Sequence, residues 1–248
     1  MRFYDGFRSG ASMAETGLED RIRGFLAAAL RKTGTGNYGS ALEDLRAAEV
    51  LDRENPEILY NLGICYARTG FFKSAADYFR RILGQPLTFV DVNTVRKLLA
   101  YCVILSGGYE EALSILAESI ALSPGDSTAL NMKGYCLEKT GRHDEAIEVF
   151  REIIAGEPDN WNAHNSLAYL LAGQGFDSTE AATLASRAMK AKPLNPAYLD
   201  TMGYVCMKRG QARAARDFFK KALALMPDSA EIKSHISELL NTRPGKGV

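Results

Sequence analysis

The sequence predicts an all-α protein made of stacked helical hairpins, and three observations predict it. A short phrase recurs in phase: Tyr60-Asn61-Leu62-Gly63-Ile64-Cys65-Tyr66 returns as Asn131-Met132-Lys133-Gly134-Tyr135-Cys136-Leu137 and as Asp200-Thr201-Met202-Gly203-Tyr204-Val205-Cys206. Glycines fit for tight turns stand at Gly36, Gly70, Gly107, Gly141, Gly175 and Gly210. A small residue follows each, at Ala41, Ala75, Ala112, Ala146, Ala181 and Ala215, and four residues on come Leu45, Phe79, Leu116, Phe150, Ala185 and Phe219.

This register places six helix-turn-helix units with starts near Ile22, Pro56, Asn93, Ser127, Trp161 and Pro196. A helix turns about 100° per residue, so positions 4, 7, 8 and 11 of each unit share one face. In the second unit these are Leu59, Leu62, Gly63 and Tyr66, answered on the second helix by Ala75, Phe79 and Ile82. One hairpin buries too little to stand alone, so neighbours must share a continuous core. The first unit is weaker, with Ala28, Ala29 and Lys32 on its stripe, as suits a terminal unit. The third is preceded by a widened loop, Gly84 to Phe89, and the fifth gains one residue near Phe176-Asp177-Ser178. Arg96, Lys133 and His164 fall on nominal core positions, where long stems are expected to cover apolar surface while their heads reach water. Pro124, Pro158, Pro193 and Pro227 close the later units, and residues 230–240 read as a capping helix over the open end. The expected organisation is a mobile tail over 1–16, the solenoid over 17–240, and a second mobile tail over 241–248.

The phrase, the glycines and the small residues together resemble the tetratricopeptide repeat (TPR) family, whose period is about 34 residues. The resemblance spans roughly residues 22 to 229. It implies a right-handed α-α superhelix, a TPR solenoid of six repeats plus the capping helix. It also implies a protein-interaction scaffold or adaptor whose first-helix positions 2, 5, 6, 9, 12 and 13 line a concave groove for a peptide or helical segment. Position 9 lies about 150° from the centre of the core stripe, which agrees with that placement.

Groove candidates follow from those positions. Tyr101, Tyr135, Tyr169 and Tyr204 share position 9, and tyrosine is a frequent interface anchor. They are expected either to bind a partner or to pack against adjacent first helices and narrow the groove. Asn61, Asn131 and Asn165 offer carboxamides that both donate to and accept from an extended backbone. Tyr60, Arg68, Lys97, Met132 and Asp200 complete the lining. In the third repeat Leu98, Tyr101, Ile104 and Leu105 suggest an apolar anchor pocket. Leu87 and Phe89 of the widened loop, or Phe3-Tyr4-Asp5-Gly6-Phe7, are alternative covers for it. The family's two-carboxylate clamp for chaperone tails is incomplete: Asn61 and Lys97 fit, but Leu26, Leu30 and Tyr101 stand where polar or basic groups belong.

Composition excludes other classes. Lys plus Arg and Asp plus Glu number 30 each, and a nucleic-acid binder needs a basic excess to displace counterions. The longest apolar run near the start, Phe25 to Leu30, is too short to span a membrane, and no secretory signal opens the chain. A cytoplasmic protein without direct membrane insertion is expected. The cysteines, Cys65, Cys102, Cys136 and Cys206, form no C-x-x-C pair, and three share position 10 as small packing residues. Gly34-Thr35-Gly36-Asn37-Tyr38-Gly39 fits G-x-G-x-x-G but lies in a helix–helix turn, not after a strand. His143, His164 and His235 are scattered in the register, so no cofactor, metal or catalytic group is expected. Charge is zoned, acidic in the fourth repeat and basic in the sixth. That zoning makes a homo-oligomer, joined through solenoid ends or the N-terminal segment, the alternative to an adaptor.

Overall fold

In a computed structural model of the chain, residues 13–175 and 178–241 are described, and among them every regular element is an α-helix. The aromatic segment Phe3 to Phe7, the fifth-unit insertion at Phe176-Asp177 and residues 242–248 lie outside the described residues.

The chain divides into two compact units, one ending at Leu122 and the other beginning at Ser123. The first holds three hairpins: α1 (Met13–Gly34) with α2 (Tyr38–Leu51), α3 (Pro56–Arg68) with α4 (Phe72–Leu83), and α5 (Val92–Leu105) with α6 (Tyr109–Leu122). The second pairs α7 (Ser127–Lys139) with α8 (His143–Gly156), α9 (Trp161–Gly173) with α10 (Ser178–Ala191), and α11 (Pro196–Lys208) with α12 (Ala212–Leu225), and ends in α13 (Ala230–Asn241).

Local chemistry sets these boundaries. Asn55 and Asn195 cap α3 and α11, each accepting from two backbone N–H groups, with proline next in line where no N–H is needed. Asp126 caps α7 by accepting from two backbone N–H groups, and Asp91 and Asn160 cap α5 and α9 by accepting from one each. The six turn glycines all adopt positive φ, between 72° and 85°, the region that other residues enter only with strain. The first helix starts at Met13, well ahead of the register position Ile22 and inside the expected tail. No proline interrupts that stretch, and Arg23 pairs with Glu19 and Asp20 one turn back.

The core of each hairpin is a size match. A Cβ added to Gly63, Gly134 or Gly203 would come within 2.7, 2.5 or 2.6 Å of Phe79, Phe150 or Phe219. Each ring is almost fully buried, so the glycine makes the space the phenylalanine fills. The other three hairpins carry alanine at the same register position (Ala29, Ala100, Ala168) and a smaller partner (Leu45, Leu116, Ala185), all equally buried.

Of the polar residues at core positions, Arg96 reaches Glu118 at 3.2 Å across its hairpin. His164 departs from expectation, being 1% exposed. Its ring is too short to reach water from that depth, so Nε2 is satisfied by the Pro158 carbonyl at 2.8 Å. Hairpins in the first unit are also tied laterally. Arg46 donates to the Tyr66 hydroxyl, Tyr66 stacks on Tyr78 at 5.4 Å, and Arg81 bridges Glu49 and Glu54.

Candidate functional site

The first-helix faces are the surfaces to test for function, and each unit presents its own. In the first unit Tyr101 and Leu105 of α5 are 48% and 44% exposed, and Arg68 is exposed at the end of α3. Lys97 and Leu98 are half-buried. Tyr60 is half-buried beneath Phe89 of the widened loop, edge-on at 5.7 Å, and against Phe79 at 6.3 Å. The loop thus covers Tyr60 while Tyr101 and Leu105 stay open. The Asn61 carboxamide donates to the Glu57 carbonyl at 2.8 Å, so one of its two N–H groups is spent on its own helix. Ile104 was expected on the groove but is 7% exposed. It stands one turn after buried Ala100, about 40° around the helix, and so shares the core face.

In the second unit α7, α9, α11 and α13 frame a recess of about 190 Å³. Tyr135, Glu138 and Lys139 line it from α7, Asn165, Ser166 and Tyr169 from α9, and Ala197, Asp200 and Thr201 from α11. The lead into α13 adds Met226 and Ser229, and its first turn adds Glu231 and Ile232. Tyr135 is 40% exposed at the rim. Asn131 and Met132 lie beside it, half-buried, with the Asn131 amide donating to the Ser127 carbonyl at 2.6 Å. The Asn165 Oδ1 is enclosed by protein and has no hydrogen-bond partner.

Two expected groove residues lie under cover instead. Asp200 and Tyr204 are 6% and 8% exposed because α13 crosses them. His235 Nδ1 donates to Asp200 Oδ2 at 2.9 Å, and the His235 ring lies 4.8 Å from Tyr204. Tyr204 stacks on Tyr169 at 4.6 Å, and the Tyr169 hydroxyl meets His235 Nε2 at 3.3 Å. On the α13 side Glu238 accepts from Lys208 at 2.7 Å, and the Lys208 ammonium sits 4.9 Å from the Tyr204 ring centre. Tyr169 and Tyr204 therefore form part of the α13 seat, while Tyr135 stays exposed at the rim with the Lys139 ammonium over its ring. Burial pushes the Tyr169 hydroxyl well above the usual tyrosine range, aided by Tyr204 and the carboxylates of Glu231, Glu138 and Asp200.

The residues missed on α7, α9 and α11 were reachable by the position rule. Glu138 and Lys139 hold positions 12 and 13 of the fourth repeat, and Ser166 and Thr201 hold position 6 of theirs. Glu231 and Ile232 carried no such signal, since only the seating of α13 brings them to the recess.

A larger recess of about 500 Å³ lies at the loops before α9 and α11, lined by Trp161, Lys192 and Tyr198 among others. Several of its polar groups are engaged internally: the Tyr198 hydroxyl donates to Asn162 at 2.6 Å, and Asn160 caps α9. The four cysteines are free and buried. Burial raises the Cys65 and Cys102 thiols to about 11, far from a reactive thiolate. Among the described residues no group of His, Cys, Asp and Glu is placed to hold a metal ion, and no helix is long and apolar enough to cross a membrane.

The family model for the tetratricopeptide repeat matches residues 26–86 and 106–160. No curated protein sequence matches the chain significantly. Among solved structures, a tetratricopeptide repeat protein from Parabacteroides merdae superposes with a TM-score of 0.72 at 16% identity, covering 93% of this chain and 86% of that one. PilF of Pseudomonas aeruginosa gives 0.65 at 18% identity, over 90% and 99%. YrrB, described as a TPR protein with an unusual peptide-binding site, gives 0.59 at 20% identity, over 77% and 97%. At such identities these likenesses concern the fold alone.

Proposed function

We propose that this chain, which has the tetratricopeptide-repeat fold, is a non-catalytic scaffold that holds a peptide or helical segment of a partner protein against its first-helix faces. The observation that carries this reading is the recess of the second unit. Four helices converge on it, an exposed Tyr135 marks its rim, and its walls alternate apolar and polar groups. Such a surface suits a polypeptide, which offers both backbone hydrogen bonds and side chains. The exposed Tyr101 and Leu105 give the first unit a separate apolar contact of the same kind. YrrB lends the reading precedent in its fold, as a TPR protein with a peptide-binding site. Buried, unpaired cysteines suit a reducing compartment, and the proposal places the scaffold in the cytoplasm.

Selection from a displayed peptide library tests it. Wild-type chain is expected to enrich peptides whose binding is lost on Tyr135→Ser with Ser166→Trp, which blocks the recess, or on Tyr101→Ser with Leu105→Ser. Far-UV circular dichroism should be unchanged in both variants. Failure to enrich any peptide, or enrichment that survives blocking of both faces, would sink the proposal.

A second reading is self-association, favoured by the charge on the outer helices of the second unit. Arg213, Arg216, Lys220 and Lys221 of α12 are exposed and pair with no carboxylate among the described residues, while α8 exposes Asp144, Glu148 and Glu152. Growth of mass in light scattering at low salt, reversed at high salt, is its signature.

A further inference from the structure

Lys139 ends α7, and its side chain lines the recess. Its ammonium stands 3.1 Å from the Glu138 carboxylate and 5.0 Å from the centre of the Tyr135 ring. Burial pulls the Lys139 pKa down, but Glu138, Tyr135 and Glu231 outweigh that and hold it above the usual lysine value. A carboxylate on one side, an aromatic face on the other and a second carboxylate nearby make a cradle for a cation.

The remaining charged lining is anionic, with Asp200 and Glu231 beside the polar groups of Asn165, Ser166, Thr201 and Ser229. The Asp200 carboxylate can only accept, so His235 Nδ1 carries the proton between them. The other ring nitrogen, Nε2, meets the Tyr169 hydroxyl at 3.3 Å. Glu231 is exposed and lies within ion-pairing distance of no cation among the described residues. Three carboxylates, Glu138, Asp200 and Glu231, thus face one ammonium around a single recess. The volume, about 190 Å³, is below the ~300 Å³ at which small-molecule sites usually begin. It fits one long side chain better than a cofactor.

We infer that this recess is a subsite for a lysine or arginine side chain of the bound polypeptide, and that Lys139 occupies it as a built-in placeholder. The inference rests on the scaffold reading above and names the chemistry of its ligand. An incoming cation takes the Tyr135 face and the Glu138 carboxylate, Glu231 closes on it from α13, and Lys139 swings out to solvent. Phosphates and acidic tails meet repulsion from the same carboxylates.

The test takes twelve-residue peptides enriched from a displayed library by the full chain. Each is titrated by fluorescence anisotropy alongside an analogue with norleucine in place of its lysine or arginine. Enriched peptides should share one basic residue, and the norleucine analogue should bind about three- to tenfold more weakly, as loss of one partly screened charge contact implies. Glu231→Gln, at an exposed position where folding is safe, should erase the preference for the basic peptide over its analogue. Lys139→Met should tighten binding of the basic peptide about two- to fivefold, by removing the competitor. Peptides without a basic residue, equal affinity for both analogues, or a preference that survives Glu231→Gln would each overturn the subsite. Peptides that bind but are lost only on Tyr101→Ser with Leu105→Ser overturn the subsite and leave the scaffold standing. A library that yields nothing removes both.

Discussion

The fit of glycine against phenylalanine can be tested by one added methyl group. A Cβ on Gly134 would stand 2.5 Å from Phe150 Cζ, 2.7 Å from Cε1 and 2.9 Å from Cε2. Ordinary carbon contacts lie near 3.5 to 4.0 Å, so the ring tip must retreat by about 1 Å. Phe150 is 1% exposed and Ala146, one turn before it, is fully buried, so the retreat has no empty space to use. Overpacking of this kind costs about 1–3 kcal/mol, while alanine gains about 1 kcal/mol over glycine as a helix former. Gly134→Ala should therefore be neutral to about 2 kcal/mol destabilising. Gly24→Ala makes the same chemical change in α1, where a Cβ meets nothing within 4 Å. That change should stabilise by about 1 kcal/mol. The decisive variant is Gly134→Ala with Phe150→Leu, which reproduces the alanine–leucine pairing of Ala100 and Leu116. Phe150→Leu alone leaves a void and should cost about 1–2 kcal/mol. In the double variant the methyl fills part of that void, so the two costs should couple by at least about 1 kcal/mol. Urea unfolding followed by far-UV circular dichroism supplies the four free energies. Costs that add within about 0.5 kcal/mol, or a Gly134→Ala as stabilising as Gly24→Ala, would refute the size-matching argument.

Two further outcomes follow from buried polar chemistry. Asp200→Ala leaves the His235 Nδ1–H buried without an acceptor and should cost about 2 kcal/mol, read as faster hydrogen exchange across α13 with α7 and α8 unaffected. Stability should also fall above pH 9, because burial lifts Cys65 and Cys102 from 9.0 to about 11. Below pH 9 those thiols are protonated in folded and unfolded chains alike and contribute nothing. Between 9 and 11 only the unfolded chain releases the protons, so alkali favours unfolding. The urea midpoint should drop from pH 8 to pH 10.5, and Cys65→Ala with Cys102→Ala should flatten that drop; an unchanged slope would remove the thiols as its cause.

Much of this architecture is legible in the sequence because it rests on local rules applied many times. Asn-Pro before α3 and α11 announces a capped helix start, and the positive-φ turns demand the six glycines. Repetition removes the ambiguity that any one hairpin would leave. The alternation of glycine–phenylalanine with alanine–smaller pairs was also written in the chain, visible once both positions of each hairpin are read together. The start of α1 was not, since the repeat register marks where a unit begins to pack, whereas a helix continues as far as its own residues allow. Burial at Ile104 marks the limit of a position rule. A first-helix face is a sector of a cylinder, and a residue near its border is assigned by packing that the period alone does not contain.

The groove shows the same limit from another side. Asp200 and Tyr204 satisfy the position rule and are still lost to solvent, because α13 occupies in the last hairpin the place that a following first helix would take. A terminal cap must cover apolar surface, and Ile232 does so against Leu199 and Ala222. Yet the helix that carries Ile232 also carries Glu231 one residue earlier, on the edge facing α7 and α9. Covering the end of the stack and completing the recess are thus performed by adjacent residues of a single turn. A cap with a polar outer face costs a solenoid little, so the identity of the residue at 231 is free to be set by what the recess must hold. Stability fixes where α13 lies, and in the proposed subsite that placement decides which carboxylate a bound chain would meet.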